Sequence, residues 1–141
     1  MTLAAASRWM LASRGLLGLA GAGLVVDGAL HWALYGRPGL AAIGASDLTG
    51  YMKANYQTFW VADVATLWTV GLAWLWSAAR TGAASAGVIA LLAVIPAALG
   101  VLNVANHGMP IASFNMLAAS AVGLLGALCR AIVPRTGSAP L

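Results

Sequence analysis

The sequence has few charged residues. Asp, Glu, Lys and Arg make up 7% of its 141 residues, whereas hydrophobic residues make up 62%. A soluble domain carries roughly 25% charged residues, so this composition cannot supply the water-facing surface of a globule of this size. A soluble enzyme, a secreted disulfide scaffold and a disordered tail are therefore excluded.

Cysteine is scarcer still, since Cys129 is the only one. An intrachain disulfide and a CxxC redox or zinc motif are excluded, and with them a quinone-linked thiol oxidoreductase. The seven basic residues give a net charge of +4, but they are scattered along the chain. Without a basic cluster that could follow phosphates, no nucleic-acid partner is expected.

Long apolar runs are the main feature that is present, at about residues 15–35, 58–77, 86–106 and 110–132. Each is close to the ~20 residues that cross a hydrocarbon core of about 30 Å. The runs predict an all-α polytopic membrane protein, a single domain over residues 1–141. We expect a compact bundle of four transmembrane helices with a long first extracytoplasmic loop.

That first loop, residues 36–57, mixes apolar and polar side chains. It is interpreted either as an amphipathic segment resting in the headgroups or as a lid over an outward-facing cavity. More basic residues lie in the N-terminus, the second loop and the C-terminus than in the first and third loops. This asymmetry predicts that both termini are cytoplasmic, and a bacterial-type inner (plasma) membrane is the expected location.

Small residues on the spans favour close helix packing, through Gly18 with Ala22 and Ala119 with Gly123. Such packing makes a homo-oligomer plausible. The other expected partners are membrane lipid and a lipophilic small molecule.

Polar side chains inside the spans are the functional signal, because an ionisable group at the bilayer centre costs at least about 2.5–3.5 kcal/mol. When depth is counted from the predicted helix ends, the polar residues of the four spans lie at a similar depth, in the outer half of the bundle. Residues four apart share a helix face. Asp27 and His31 have this spacing, and so do Asn103 and His107. The candidate catalytic residues are Asp27, His31, Asp63 and His107, and the candidate substrate-binding residues are Asn103, Asn115, Trp60, Tyr35 and Tyr56.

Each of these residues also has an ordinary structural explanation. Aromatic residues form interfacial belts, and asparagines can bond helices together at about 0.6 kcal/mol each. The two intramembrane carboxylates, Asp27 and Asp63, are harder to explain in this way, because both need buried partners. The set as a whole therefore favours a functional site.

Acid/base chemistry on a lipophilic molecule is the first functional hypothesis, of the isomerase or hydratase type. A carboxylate beside a histidine forms a general acid/base pair, and no nucleophilic Ser or Cys stands beside a base. The alternatives are a haem or divalent-metal site that uses His31 and His107, a proton-coupled small transporter, and a subunit of a membrane complex.

In its predicted architecture, the chain resembles the small membrane-bound epoxide isomerases of the styrene oxide isomerase type. The shared features are four short helices, a long first outer loop, and His, Asp, Asn and Tyr residues near one face. The resemblance covers architecture and no contiguous motif, so no residue role is transferred. It favours the enzyme hypothesis and the haem or metal alternative.

Overall fold

The computed structural model describes residues 2–80, 82–107 and 111–133, without the side chains of Tyr35 and His107. Over these residues the chain is helical and forms no strand. The elements are α1 (Leu3–His31), a π-helical turn (Trp32–Gly36), α2 (Arg37–Ala45), α3 (Gly50–Ala79), α4 (Ala86–His107) and α5 (Ile111–Ile132).

Hydroxyl side chains begin three of these helices, with Thr2 at the start of α1. Thr49 Oγ1 accepts a hydrogen bond from the Met52 amide at 3.4 Å, and Ser85 Oγ accepts one from the Val88 amide at 3.3 Å. Each bond satisfies an amide that the first helical turn leaves free. The sequence therefore fixes the starts of α3 and α4 locally.

Four helical segments are long and apolar enough to cross a membrane: Leu3–Ala45, Gly50–Ala79, Ala86–Asn106 and Ile111–Ile132. The α4 and α5 helices, of 22 residues each, are about 33 Å long, close to the thickness of a hydrocarbon core. Large apolar side chains such as Leu19, Phe59 and Leu91 are exposed on the outside. These features are compatible with a multi-pass membrane protein.

The prediction of a long first loop is wrong, because most of residues 36–57 is helical. The helical path of α1 continues through the π-helical turn into α2, and only residues 46–49 separate α2 from α3. Pro38 stands at the start of α2, where a missing amide is tolerated. The α1 helix also begins earlier than expected, at Leu3 instead of about residue 15.

Helix α1 is the centre of the bundle. It packs against both α3 and α5, and α5 packs against α4, whereas α3 and α4 make few contacts with each other although they are consecutive. The side chain of Trp74 on α3 fills the middle of the bundle and is fully buried. It lies against Gly123 of α5, where an added Cβ would be 2.5 Å from its ring.

Two glycines set the register between α1 and α3. A Cβ added at Gly21 would be 2.7 Å from the Gly71 carbonyl oxygen, and one added at Gly71 would be 2.8 Å from the Gly21 oxygen. The two backbones therefore touch at this crossing, as small residues allow. Ala22, which the sequence pairs with Gly18 for packing, is exposed, because the contact face of α1 is rotated toward Gly21.

Candidate functional site

His31 and Asp63 meet at the interface of α1 and α3. His31 Nε2 lies 3.4 Å from Asp63 Oδ2, and the two side chains are 14% and 22% exposed. The antiparallel crossing at Gly21 and Gly71 brings the last residue of α1 to the level of Asp63. An imidazole and a carboxylate from two different helices thus form a mostly buried pair.

An aromatic ring borders this pair. Trp60 lies about one turn before Asp63 on α3, and its ring centroid is 5.6 Å from that of His31, with an angle of 35° between the planes. A Cβ added at Gly39 of α2 would lie 3.2 Å from the Trp60 ring. Helix α2 therefore packs over Trp60, which in turn packs against His31.

Asp27 and Asn115 form a second polar contact, between α1 and α5. Asn115 Nδ2 donates to Asp27 Oδ1 at 3.4 Å, and Asp27 is only 4% exposed. The other carboxylate oxygen, Oδ2, is buried and has no hydrogen-bond partner among the described residues. One oxygen of Asp27 is thus held in place by Asn115, while the other is buried without a described partner.

The two contacts lie on successive turns of α1. Asp27 precedes His31 by four residues, about 6 Å along the helix axis, and shares its face of α1. We call Asp27, His31, Asp63 and Asn115 the polar cluster. Three helices contribute to it, as the sequence predicts for these four residues, but as two linked pairs.

The partners within the cluster differ from those that the spacing suggests. Asp27 and His31 share a face of α1, yet the partner shown for His31 is Asp63 of α3, and the partner shown for Asp27 is Asn115 of α5. Side chains one turn apart on a central helix contact different neighbours, because α3 and α5 pack against α1 at the same time.

Among its described side chains, helix α4 reaches the cluster only indirectly. Asn103 Nδ2 lies 3.8 Å from the buried sulfur of Met116, and Met116 follows Asn115 in the chain. Asn106 instead donates to the Leu102 carbonyl of its own helix and is exposed. A substrate-binding role for Asn103 stays a prediction.

Other predicted site residues are placed apart or are not described. Tyr56 is 50% exposed and makes no described hydrogen bond to the cluster. The side chains of Tyr35 and His107 lie outside the described residues, and the roles predicted for them stay predictions.

The described residues give no support to a metal centre. Among them, no group of three or more His, Cys, Asp and Glu side chains is close enough to hold a metal ion. The haem alternative pairs His31 with His107, whose side chain lies outside the described residues.

Two structural features near the site are difficult to predict from the sequence. The π-helical turn directly follows His31, and such turns are frequent at functional sites, but its Gly-Arg-Pro-Gly end suggests a helix break. Lys53 donates from Nζ to the Gly44 carbonyl at 2.8 Å and ties the end of α2 to α3. No local pattern indicates this contact, because it depends on the hairpin that α2 and α3 form.

No protein-family model matches this chain, and no curated protein or solved structure is significantly similar to it. The function therefore has to be argued from the geometry of the polar cluster.

Proposed function

We propose that the chain is a small integral membrane enzyme that uses the polar cluster for acid/base chemistry on a lipophilic small molecule. The reaction is of the isomerase or hydratase type. The observation that carries the proposal is the contact of His31 with Asp63 at 3.4 Å within a bundle of apolar helices.

A structural role alone explains this contact poorly. Buried ion pairs contribute little net stability, because desolvation offsets their attraction, and polar contacts between membrane helices average only about 0.6 kcal/mol. Ionisable residues within membrane spans are functional candidates for this reason. Asp27 adds a second carboxylate one turn away, with Oδ2 unpartnered among the described residues.

Each residue of the cluster has a distinct part in the proposed reaction. His31 is the general base and acid, and Asp63 orients its imidazole and stabilises the imidazolium. Asp27 is the complementary proton donor or acceptor, held by Asn115 through Oδ1. Trp60 supplies an apolar wall for the substrate, since its ring packs beside His31.

An isomerisation by this cluster needs no further reagent. His31 takes a proton from a carbon of the substrate while the electron pair shifts along an adjacent double bond or carbonyl. Asp27 returns a proton at the other end of the shifted system, and transfer between the two groups restores the starting state. Protons and electrons balance, and hydration would add only one water molecule.

The proposal includes the orientation that the basic residues indicate. Arg14, Arg80 and Arg130 lie at the end of the bundle where α1 begins and α3 ends, which we call the basal end. The excess of basic residues on the cytoplasmic side of membrane proteins puts the basal end in the cytoplasm. The polar cluster then faces the other side.

Hydrogen–deuterium exchange into a panel of lipophilic ketones and enones tests the proposal for any substrate class with an acidic carbon. Purified protein in nanodiscs and deuterium oxide is expected to label at least one compound at such a carbon. His31→Ala and Asp63→Asn are expected to lower the rate by at least about 100-fold, the lower range for general acid–base catalysis.

Asp47→Asn is the matched control. It removes the third acidic residue of the chain, which is exposed in the connection between α2 and α3, and should leave the rate unchanged. Circular dichroism of each variant checks that the helices persist. Equal rates in wild type and the cluster variants, or no labelling of any compound, would contradict the proposal.

A further inference from the structure

Three arginines from three helices gather at the basal end, around the last turn of α3. Arg14 Nε donates to the Ala78 carbonyl at 2.7 Å. Arg130 Nη2 donates to the Ser77 carbonyl at 2.7 Å, and its Nη1 donates to the Ala84 carbonyl at 3.0 Å.

The third arginine, Arg80, ends α3 and stacks on an aromatic ring. Its guanidinium carbon lies 4.3 Å from the centroid of the Trp76 ring, close enough for a cation–π contact. Arg14, Arg80 and Trp76 are exposed, whereas Arg130 lies behind them and is only 7% exposed.

No aspartate or glutamate side chain lies beside these positive charges to neutralise them. The chain has three acidic residues. Asp27 and Asp63 belong to the polar cluster, and Asp47 lies between α2 and α3, at the far end of α3 from Arg80. All the described hydrogen bonds of the three arginines go to backbone carbonyls, and the end of a helix carries only about half a negative charge. Arg14 and Arg130 bond to the consecutive carbonyls of Ala78 and Ser77, so these like charges lie near each other.

A surface depression of about 530 Å³ opens between these groups. Among the described residues that line it, Arg14 and Arg80 are the charged ones, and the small side chains leave space between them. The lining residues are Arg14, Trp76, Ala79, Arg80, Gly82 and Ala83. The two terminal nitrogens of Arg14 make no described hydrogen bond, so both are available to an acceptor.

We infer that this depression binds the phosphate group of an anionic phospholipid. Arginine guanidinium groups match the oxygens of a phosphate, and basic pockets between membrane helices bind such headgroups. The depression lies where the apolar part of α3 ends, which is the level of lipid phosphates for a membrane-spanning helix. The exposed ring of Trp76 faces the interfacial region, where tryptophan is favoured. The inference holds whether or not the polar cluster is catalytic.

Native mass spectrometry of protein released from nanodiscs tests the inference. The nanodiscs contain phosphatidylcholine alone or with phosphatidylglycerol, and the wild-type protein is expected to retain phosphatidylglycerol preferentially. Arg14→Gln and Arg80→Gln should each weaken that retention by at least about five-fold, the effect of one basic residue near an anionic surface.

Arg37→Gln is the matched control, because Arg37 is an exposed arginine at the start of α2, at the other end of the bundle. It should retain the lipid as the wild type does. Arg80→Gln removes no described hydrogen bond, so it tests the site even if Arg14→Gln unfolds the protein. A second arm adds inorganic phosphate at the same concentration as the phosphatidylglycerol.

Three results would overturn the inference. Equal retention by Arg80→Gln and the wild type would show that Arg80 binds no headgroup. If Arg37→Gln weakened phosphatidylglycerol retention as much as Arg80→Gln, the effect would come from overall charge and not from this site. Displacement of the lipid by inorganic phosphate at equal concentration would assign the depression to free phosphate instead of a phospholipid.

Discussion

His31 and Asp63 lie on different helices, and each supplies the polar partner that the other needs in an apolar bundle, with Nε2 3.4 Å from Oδ2. The pair exists because two glycine backbones, Gly21 and Gly71, allow α1 and α3 to approach closely. The proposed chemistry therefore depends on a packing contact well below the site.

Asn115→Ala is expected to destabilise the protein by about 1–3 kcal/mol, the cost of leaving a buried polar group unsatisfied. Asp27 is 4% exposed and loses the Asn115 amide, its one described hydrogen-bond donor. Unfolding in mixed micelles measures the free energy. Asn106→Ala makes the same chemical change at an exposed residue that bonds its own helix, and should cost less than about 0.5 kcal/mol. An equal loss of unfolding free energy in the two variants would contradict the prediction.

Gly21→Ala tests the crossing of α1 and α3. Its methyl group would lie 2.7 Å from a backbone oxygen, and such overpacking costs about 1–3 kcal/mol. We also expect the deuterium-exchange activity to fall, because the helices must separate and His31 moves away from Asp63. In Gly23→Ala the new methyl group meets nothing within 4 Å, so stability should be unchanged or rise by up to about 1 kcal/mol. A Gly21→Ala protein as stable as Gly23→Ala would refute the close crossing.

Lys53→Gln is expected to loosen α2. This helix has no buried residue, and Lys53 ties its end through the Gly44 carbonyl at 2.8 Å. Amide hydrogen exchange over residues 37–45 should become several-fold faster, with the protected core of α1 unchanged. Arg37→Gln, which removes an exposed charge without a described side-chain contact, is the control. Unchanged exchange in Lys53→Gln would mean that other contacts hold α2.

Apolar run length predicts the helices that lie within the bundle and fails where helices extend beyond it. The last predicted run, 110–132, corresponds closely to α5 at Ile111–Ile132. Residues 36–57 are too polar to count as a span, yet most of them are helical, and Pro38 stands at a helix start that tolerates it. Periodicity alone could not reveal this extension.

The sequence also predicts the candidate site only in part. Burial cost marks a larger set of polar residues in the sequence, and within that set the structure pairs His31 with Asp63 and Asp27 with Asn115. Their pairing was not predictable, since it depends on which faces of α1 contact α3 and α5. The rotation of α1 follows from the contact of Gly21 with Gly71, which the small-residue pattern of α1 alone does not specify.

The most direct test of the acid/base account is a double-mutant cycle of His31→Ala and Asp63→Asn, measured as deuterium exchange into the panel compounds. Groups that act as one catalytic unit are strongly non-additive. We predict that the double variant is no slower than the slower single variant. Independent losses that multiply in the double variant, or an Asp63→Asn protein as active as the wild type, would contradict the claim that the two residues work as a pair.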